Sequence, residues 1–434
     1  MNLNDILKRR DDLVDQIVEK MKEKKRCHLY AYAGFGKTNI VQRLVRELKL
    51  KSVLYVKPAS DKEANKSRFV DYPQIELISY ASLHKAAKTS YDLVIADESD
   101  NLASFRVRGG SKRAKMLFKI AAKSPRFIGL SATLYRENPL SLYGVQTFVD
   151  FGEALGRYFS DFGNKYFTAY QRENFTLYKE KPDTLSRIAA DMSKDVITVQ
   201  YSEIFGDLPE YDLKYLKVPL DAEIMQALRS LENESCLGTR TVSAGITRIS
   251  LMLQVASGFY MEEDLSEKRV QTSDRDCVTL SDNRFEACWA KIHELVKQGK
   301  KVVVFANFLY EQNRLYEGLR GIKASIFGKT VKKEQGLKDF ITGDTQVLIS
   351  HAETLGVGVD GLQKVCSDMI FFNVGISLRQ FYQATARIST PRQLLGGGKL
   401  TLEDYAKGTV PTVWVLTSDA LIEKEVAKAL DKKS

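Results

Sequence analysis

Cysteine and histidine are scarce in this chain, with five and four in 434 residues. Cys27, Cys236, Cys277, Cys288 and Cys366 are scattered, odd in number and without a CxxC pair. That spacing predicts neither a disulfide framework nor a zinc site, and it fits reduced thiols. The histidines are equally dispersed, so each is expected to be structural rather than a metal ligand. Proline (9) and tryptophan (2) are few, and no Pro/Gly-rich linker or low-complexity tract is visible. Apolar runs stop far short of the ~20 residues that a membrane-spanning helix needs. Residues 1–26 are crowded with Lys, Arg, Asp and Glu, so no secretory leader is read there. Repeats at solenoid periods are absent as well. These absences predict a globular protein with no membrane partner, expected in the cytoplasm.

What is present is ordinary in bulk, at 44% hydrophobic and 28% charged residues. The length allows two or three domains, each with a full core. The net charge of +10 leans toward a polyanionic partner. The informative stretch is Ala31-Tyr32-Ala33-Gly34-Phe35-Gly36-Lys37-Thr38. It follows an apolar run over residues 28–33 that reads as a strand. It precedes Asn39 and a segment over 39–45 with apolar residues at helical spacing. A small-residue loop between strand and helix, ending in Gly-Lys-Thr, is the context of a phosphate loop. Its backbone N–H groups and the helix N-terminus favour an anion. In that reading Ala33, Gly34, Phe35, Gly36, Lys37, Thr38 and Asn39 line the nucleotide, Lys37 reaches the β- and γ-phosphates, and Thr38 offers its hydroxyl to Mg²⁺.

Periodicity organises the rest. Residues 4–24 carry an amphipathic helical stripe. Short apolar runs follow at 53–56, 76–79, 93–96 and 127–130, separated by helix-like stretches. The pattern restarts at 302–305, 324–327, 347–350, 369–372 and 413–416. Strands alternating with helices predict parallel sheets covered on both faces. The expected architecture is two α/β domains, 1–207 and 208–434. The first has an aromatic and helical extension from about 151, the second a mainly helical insertion at about 221–295, and Leu208-Pro209 is the expected hinge. A second site element is Leu93-Val94-Ile95-Ala96-Asp97-Glu98-Ser99-Asp100, an apolar strand ending in acids. Ligands lie beyond the carboxyl ends of parallel strands, where these carboxylates project. Asp97 suits Mg²⁺, Glu98 suits orienting the attacking water, and a cation offsets the cost of adjacent acids. The order of phosphate loop and then acidic strand end predicts an Mg-ATPase.

With these motifs in hand the chain resembles superfamily 2 helicases and translocases, and within them the Swi/Snf-like branch, over residues 5–395. Residues 31–38 look like motif I, 54–60 like motif Ia, 78–83 like motif Ib and 97–100 like the DExx motif. Ser131-Ala132-Thr133 is the Ser-Ala-Thr of motif III. Residues 301–308 resemble motif IV, 328–340 the Swi/Snf glycine-to-Phe segment, 354–363 motif V and 380–388 motif VI. Five departures stand out. Ser131-Ala132-Thr133 is the wider superfamily's form of motif III, where the Swi/Snf branch usually carries a Thr-Gly-Thr type. Ala31 replaces the usual first glycine, and Asp100 replaces the histidine common after the acids. No glutamine motif for adenine is present beyond a guess at Gln16. Only one arginine of motif VI, Arg387, is in place, with Arg392 as an alternative finger. Compact phage helicases that process forks and recombination branches are similar in economy.

The resemblance implies two RecA-like parallel-sheet domains in tandem with ATP and Mg²⁺ bound to the first. It implies catalytic roles for Lys37, Asp97, Glu98, Gln383 and either Arg387 or Arg392, and a nucleotide contact from Gly358 and Asp360. Ser131 and Thr133 would couple hydrolysis to movement. Lys57, Ser60, Ser79, Asn307, Thr330 and Ser350 would touch a nucleic-acid backbone, where small polar groups position the strand without reading sequence. The basic run after the acids offers Arg106, Arg108, Lys112 and Arg113 as further phosphate contacts, the alternative being a solvated loop. Most rings of the aromatic run 158–175 are expected in core packing, with base stacking as the other use. Trp289 is expected to pack a helix on the second sheet. The function implied is an ATP-dependent DNA helicase or translocase acting on duplex, forked or four-way-junction DNA, a monomer when unbound, in a bacterial or phage-infected cell. An RNA helicase, or a nucleic-acid-binding protein with a decayed ATPase, are the other readings.

Overall fold

The computed structural model describes residues 2–59, 67–132, 138–171, 176–233, 236–237, 240–241, 246–261, 277–328, 333–356, 359–375 and 377–431. The chain forms two compact units, Met1–Leu208 and Pro209–Ser434.

The first unit opens with the helix Leu3–Glu23, capped by the Asn2 side chain accepting from Asp5 N–H at 2.9 Å. It buries Ile6, Ile17, Val18 and Met21, the apolar stripe seen in the sequence. The strands that follow are β1 Arg26–Ala31, β2 Val53–Lys57, β3 Ile75–Ser79, β4 Leu93–Asp97, β5 Arg126–Ser131, β6 Phe167–Gln171, β7 Thr176–Glu180 and β8 Val196–Val199. Six of them form one all-parallel sheet in the order β3-β2-β4-β5-β1-β8. The strand expected over 28–33 starts and stops two residues earlier, because the chain turns after Ala31 into a glycine loop. Leu54, Val56, Val94, Ala96 and Phe127 pack on one face of the sheet against Leu117, Val145 and Phe148. These three belong to the helices Lys112–Lys123 and Ser141–Asp150. The antiparallel ribbon β6–β7 lies outside the main sheet. Phe162, Tyr166 and Phe167 of the aromatic run join Leu142, Tyr143 and Ile188 in a separate buried cluster. Core packing is thus the use of most described rings there, although Tyr170 is 46% exposed.

The second unit begins with β9 Asp212–Lys217 and continues with β10 Cys236–Leu237, β11 Arg240–Thr241, β12 Phe259–Met261, β13 Cys277–Thr279, β14 Lys301–Phe305, β15 Ala324–Phe327, β16 Val347–Ser350, β17 Cys366–Phe371 and β18 Thr412–Thr417. Its sheet is again all parallel and six-stranded, in the order β15-β16-β14-β17-β18-β9. Side chains alternate along each strand, so Val303 and Phe305 join one core while Val302 and Val304 join the other. Trp289 packs on the second of these cores, and its indole N–H donates to the Leu315 carbonyl at 3.1 Å. Between β9 and β14 the helices Ala222–Asn233 and Ile246–Ala256 pack through Ile224, Leu228, Leu231, Leu251 and Val255. Two parallel six-stranded sheets with helices flanking them make a tandem RecA-like α/β fold.

Candidate functional site

The carboxyl end of β1 runs into the loop 32–36 and then the helix Lys37–Glu47. Gly34 and Gly36 hold φ of 93° and 99°, the left-handed region that only glycine enters at low cost. A methyl on Gly36 meets nothing nearer than Asn39 Nδ2 at 3.9 Å, so backbone conformation rather than space demands glycine there. The helix is anchored by Ile40, Val41, Leu44 and Val45, all buried. Phe35 is buried beneath the loop, whereas Ala33, Lys37 and Thr38 are half-buried and Asn39 is exposed. The Lys37 ammonium donates to the Ala31 carbonyl at 2.7 Å and to that of Tyr32 at 3.4 Å. Its charge is therefore folded over the loop that it closes.

Asp97 ends β4 at the same carboxyl edge of the same sheet. Among the described residues the Tyr55 hydroxyl donates to its carboxylate at 2.9 Å and the Glu98 amide at 3.0 Å. The Tyr80 hydroxyl holds its main-chain carbonyl at 2.8 Å. Neither tyrosine was singled out from the sequence. The signal for Tyr55 is register: it lies level with Ile95 in the parallel pair β2–β4, so it shares a face with Asp97 two residues on. Glu98 sits in the left-handed region, at φ 49° and ψ 57°. It is one of four non-glycine residues with positive φ among those described. Asn101 fixes this conformation by donating both its backbone and its side-chain N–H to the Glu98 carbonyl, at 2.9 and 2.8 Å. Strained backbone of this kind persists where the surroundings over-determine it. Ser99 and Asp100 behind it are buried.

The oxygen donors suit a hard cation, since Thr38 carries a hydroxyl and Asp97 a carboxylate. Among the described residues no group of three or more His, Cys, Asp or Glu gathers as a metal site. An ion held here would take the rest of its shell from phosphate and water, the habit of Mg²⁺.

In the second unit the residues read as motifs V and VI converge. Arg387 donates to the Val359 carbonyl at 3.0 Å, and Arg392 pairs with Asp360 at 3.4 Å. The Gly361 amide also binds the Asp360 carboxylate, at 2.9 Å. Gln383 lies half-buried on the helix Leu378–Thr385 just before Arg387. Thr390, three residues after Arg387, is buried and donates to the Pro209 and Glu210 carbonyls at 2.5 and 3.1 Å.

The remaining candidates divide by exposure. Lys57, Ser79, Ser131 and Ser350 are buried at strand ends, with Ser350 Oγ donating to the Phe327 carbonyl at 2.8 Å. Asn307 is half-buried after β14, and its amide N–H donates to Glu311 at 3.0 Å. Arg108, Lys112 and Arg113 are exposed. Arg106 is folded inward, donating to the Ala103 and Phe105 carbonyls at 2.8 and 2.6 Å with its guanidinium 3.8 Å from the Phe159 ring centre. Burial holds its pKa below the usual arginine value. Ser60, Thr133, Thr330 and Gly358 lie outside the described residues.

Fold and site together define a tandem RecA-like α/β protein with a glycine loop and an acidic strand end at one sheet edge. No protein-family model matches the chain. A curated relative, putative protein p41 of Acyrthosiphon pisum secondary endosymbiont phage 1, is 27% identical over 314 residues, covering 71% of this chain. The chain spans 64% of that relative's length. Similar solved structures are two forms of the Sulfolobus solfataricus SWI2/SNF2 ATPase core. The core in complex with dsDNA is 16% identical with a TM-score of 0.42, over 97% of this chain and 90% of that one. The core domain alone is 17% identical with a TM-score of 0.40, over 98% and 88%. Among the described residues no helix is long and apolar enough to cross a membrane.

Proposed function

We propose that this protein is an ATP-dependent DNA translocase or helicase that acts on duplex or branched DNA. The observation that carries the ATPase half is the shared sheet edge. The glycine loop leaves β1 and the acids leave β4, with only β5 between them. That spacing suits one triphosphate lying across the strand ends. Lys37 moves from its loop carbonyls to the β- and γ-phosphates, exchanging one set of oxygens for a more strongly charged set. Asp97, aimed by Tyr55, and Thr38 hold Mg²⁺, which neutralises charge on the phosphate oxygens when bound. Glu98 orients the attacking water from its fixed left-handed backbone. Gln383 and one of Arg387 and Arg392 serve the transition state, and Gly358 and Asp360 the nucleotide.

The DNA half rests on the motif order in the sequence, the net charge of +10 and the exposed Arg108, Lys112 and Arg113. Of the expected backbone contacts, Ser60, Asn307 and Thr330 are proposed along the track, whereas Lys57, Ser79 and Ser350 are buried at their strand ends and would support it from beneath; Ser131 with Thr133 couples it to hydrolysis. Fork remodelling or branch migration is the specific role proposed.

The test is steady-state ATP hydrolysis alone and with single-stranded DNA, duplex DNA, a four-way junction and RNA. Stimulation by duplex or junction DNA, weakened by salt, is expected. Stimulation by RNA alone would move the reading to an RNA helicase, and no hydrolysis under any condition would leave a binding protein. Lys37→Ala and Glu98→Gln should each lower turnover by about 10³ or more, with Glu98→Gln still binding ATP. Whichever of Arg387→Ala and Arg392→Ala loses turnover without losing ATP affinity identifies the finger.

A further inference from the structure

The chain lacks a clear glutamine motif for adenine, which leaves the base of the nucleotide without a recognised partner. The sheet order supplies a direction for it. The acids that serve the γ-phosphate stand on the β4 side of β1, and β8 flanks β1 on the other side. A triphosphate whose γ end points toward β4 therefore sends its base toward β8. Three aromatic rings gather there. Tyr32 leaves β1 inside the glycine loop, and Tyr201 and Phe205 follow directly after β8, on and beside the short helix Ser202–Phe205. Tyr201 and Phe205 stack at 4.8 Å with an interplanar angle of 21°. Tyr32 stands nearly upright to both, with its centroid 5.6 Å from Tyr201 and 6.0 Å from Phe205. Phe205 is fully buried, whereas Tyr32 and Tyr201 are half-buried.

We infer that Tyr32 and Tyr201, backed by Phe205, form an aromatic shelf that binds the purine base of the nucleoside triphosphate. The inference rests on the phosphate-loop reading and adds the base subsite to it. Aromatic rings recognise the π-face of a base and carry no donor–acceptor code for its edge. The shelf thus favours purines over pyrimidines by ring area and discriminates little between adenine and guanine. That is the specificity expected of an ATPase without a glutamine motif.

Calorimetric titration of the full chain with ADP, GDP, CDP and inorganic pyrophosphate, each with Mg²⁺, tests this without turnover. ADP and GDP should bind within a few-fold of each other and roughly tenfold more tightly than CDP. Tyr201→Leu should weaken ADP roughly tenfold and leave pyrophosphate unchanged, whereas Tyr201→Phe keeps the ring and keeps ADP affinity. Tyr32→Leu supplies the same test from the other ring should Tyr201→Leu fail to fold. Wild-type ADP affinity in both leucine variants, with Lys37→Ala still losing ADP and pyrophosphate, would overturn the shelf and spare the phosphate loop. A wild-type chain that binds neither ADP nor pyrophosphate would overturn both.

Discussion

Two buried titratable residues tie the stability of the chain to pH with opposite signs. His28 on β1 is fully buried beside Gly129, Ser99, Phe127 and Tyr30, and burial lowers its pKa to about 3. Its imidazole crosses so close to Gly129 that a methyl there would stand 2.3 Å from Nδ1, which explains the glycine. The folded state refuses a proton that the unfolded chain accepts near pH 6.5. Stability from His28 is complete above that pH and is lost as pH falls toward 3, by at most about 1.4 kcal/mol per unit. Glu311 is also fully buried, and burial raises its pKa to about 7. Its carboxylate accepts from Asn373 Nδ2 at 2.6 Å and from the Asn307 and Phe308 amides at 3.0 and 3.1 Å. Here the folded state holds a proton that the unfolded chain releases above about 4.5, so stability present below that pH is lost as pH rises through 7. Thermal unfolding of the wild type, His28→Gln and Glu311→Gln between pH 4.5 and 7.5 separates the two. His28→Gln should flatten the loss on acidification, and a slope equal to the wild type's would refute the account. Glu311→Gln should cost about 1–3 kcal/mol, because an amide cannot accept from all three donors.

At the scale of elements, single arginines hold helix ends that packing alone leaves open. Arg26, level with Phe127 at the start of β1, donates to the carbonyls of Ala121 and Ser124 at 3.1 and 3.0 Å and to that of Phe148 at 2.6 Å. These carbonyls end the helices Lys112–Lys123 and Ser141–Asp150, where the last turn lacks partners and the dipole favours a cation. Arg26→Met should cost at least about 2 kcal/mol, read as a lower denaturant midpoint at unchanged slope. In the second unit Arg284 and Glu423, 3% and 8% exposed, form a buried ion pair in which Arg284 Nη2 donates to both Glu423 carboxylate oxygens at 2.6 Å. Arg284 also donates to the Phe372 carbonyl at 2.8 Å. The pair joins the helix Asn283–Lys297 to the helix Leu421–Asp431 at the end of β17. Glu423→Ala should cost about 3–5 kcal/mol by stranding a buried charge, and Arg284→Met in the same chain should return part of that loss. Additive costs in the double variant would show that the pair is not coupled.

For the whole molecule the relevant quantity is charge that reaches solvent. Arg106 is spent on its own loop, while Arg108, Lys112 and Arg113 face outward. If the outward three meet phosphates, their joint replacement by alanine should weaken duplex binding and flatten the slope of log affinity against log salt by about two to three. Arg106→Ala should instead lower stability and leave the slope alone. Equal slopes for the wild type and the triple variant would move the track elsewhere on the surface.

The sequence by itself determined the parts that local chemistry dictates. The glycine loop needs left-handed residues between a strand and a helix, and Gly34 and Gly36 provide them. Buried parallel strands need continuous apolar runs, so ten of the twelve sheet strands were readable. The two that were not are edge strands: β9, Asp212–Lys217, is interrupted by Asp212, Lys214 and Lys217, and β8, Val196–Val199, is a four-residue run broken by Thr198. Only the tertiary structure decided which side chains meet across strands. Register carried Tyr55 to Asp97, burial turned Arg106 inward, and strand order gathered Tyr32, Tyr201 and Phe205 from positions about 170 residues apart in the chain. Motifs are legible because they lie contiguous along the backbone. These meetings depend on which strands become neighbours, and that is settled when the whole core packs.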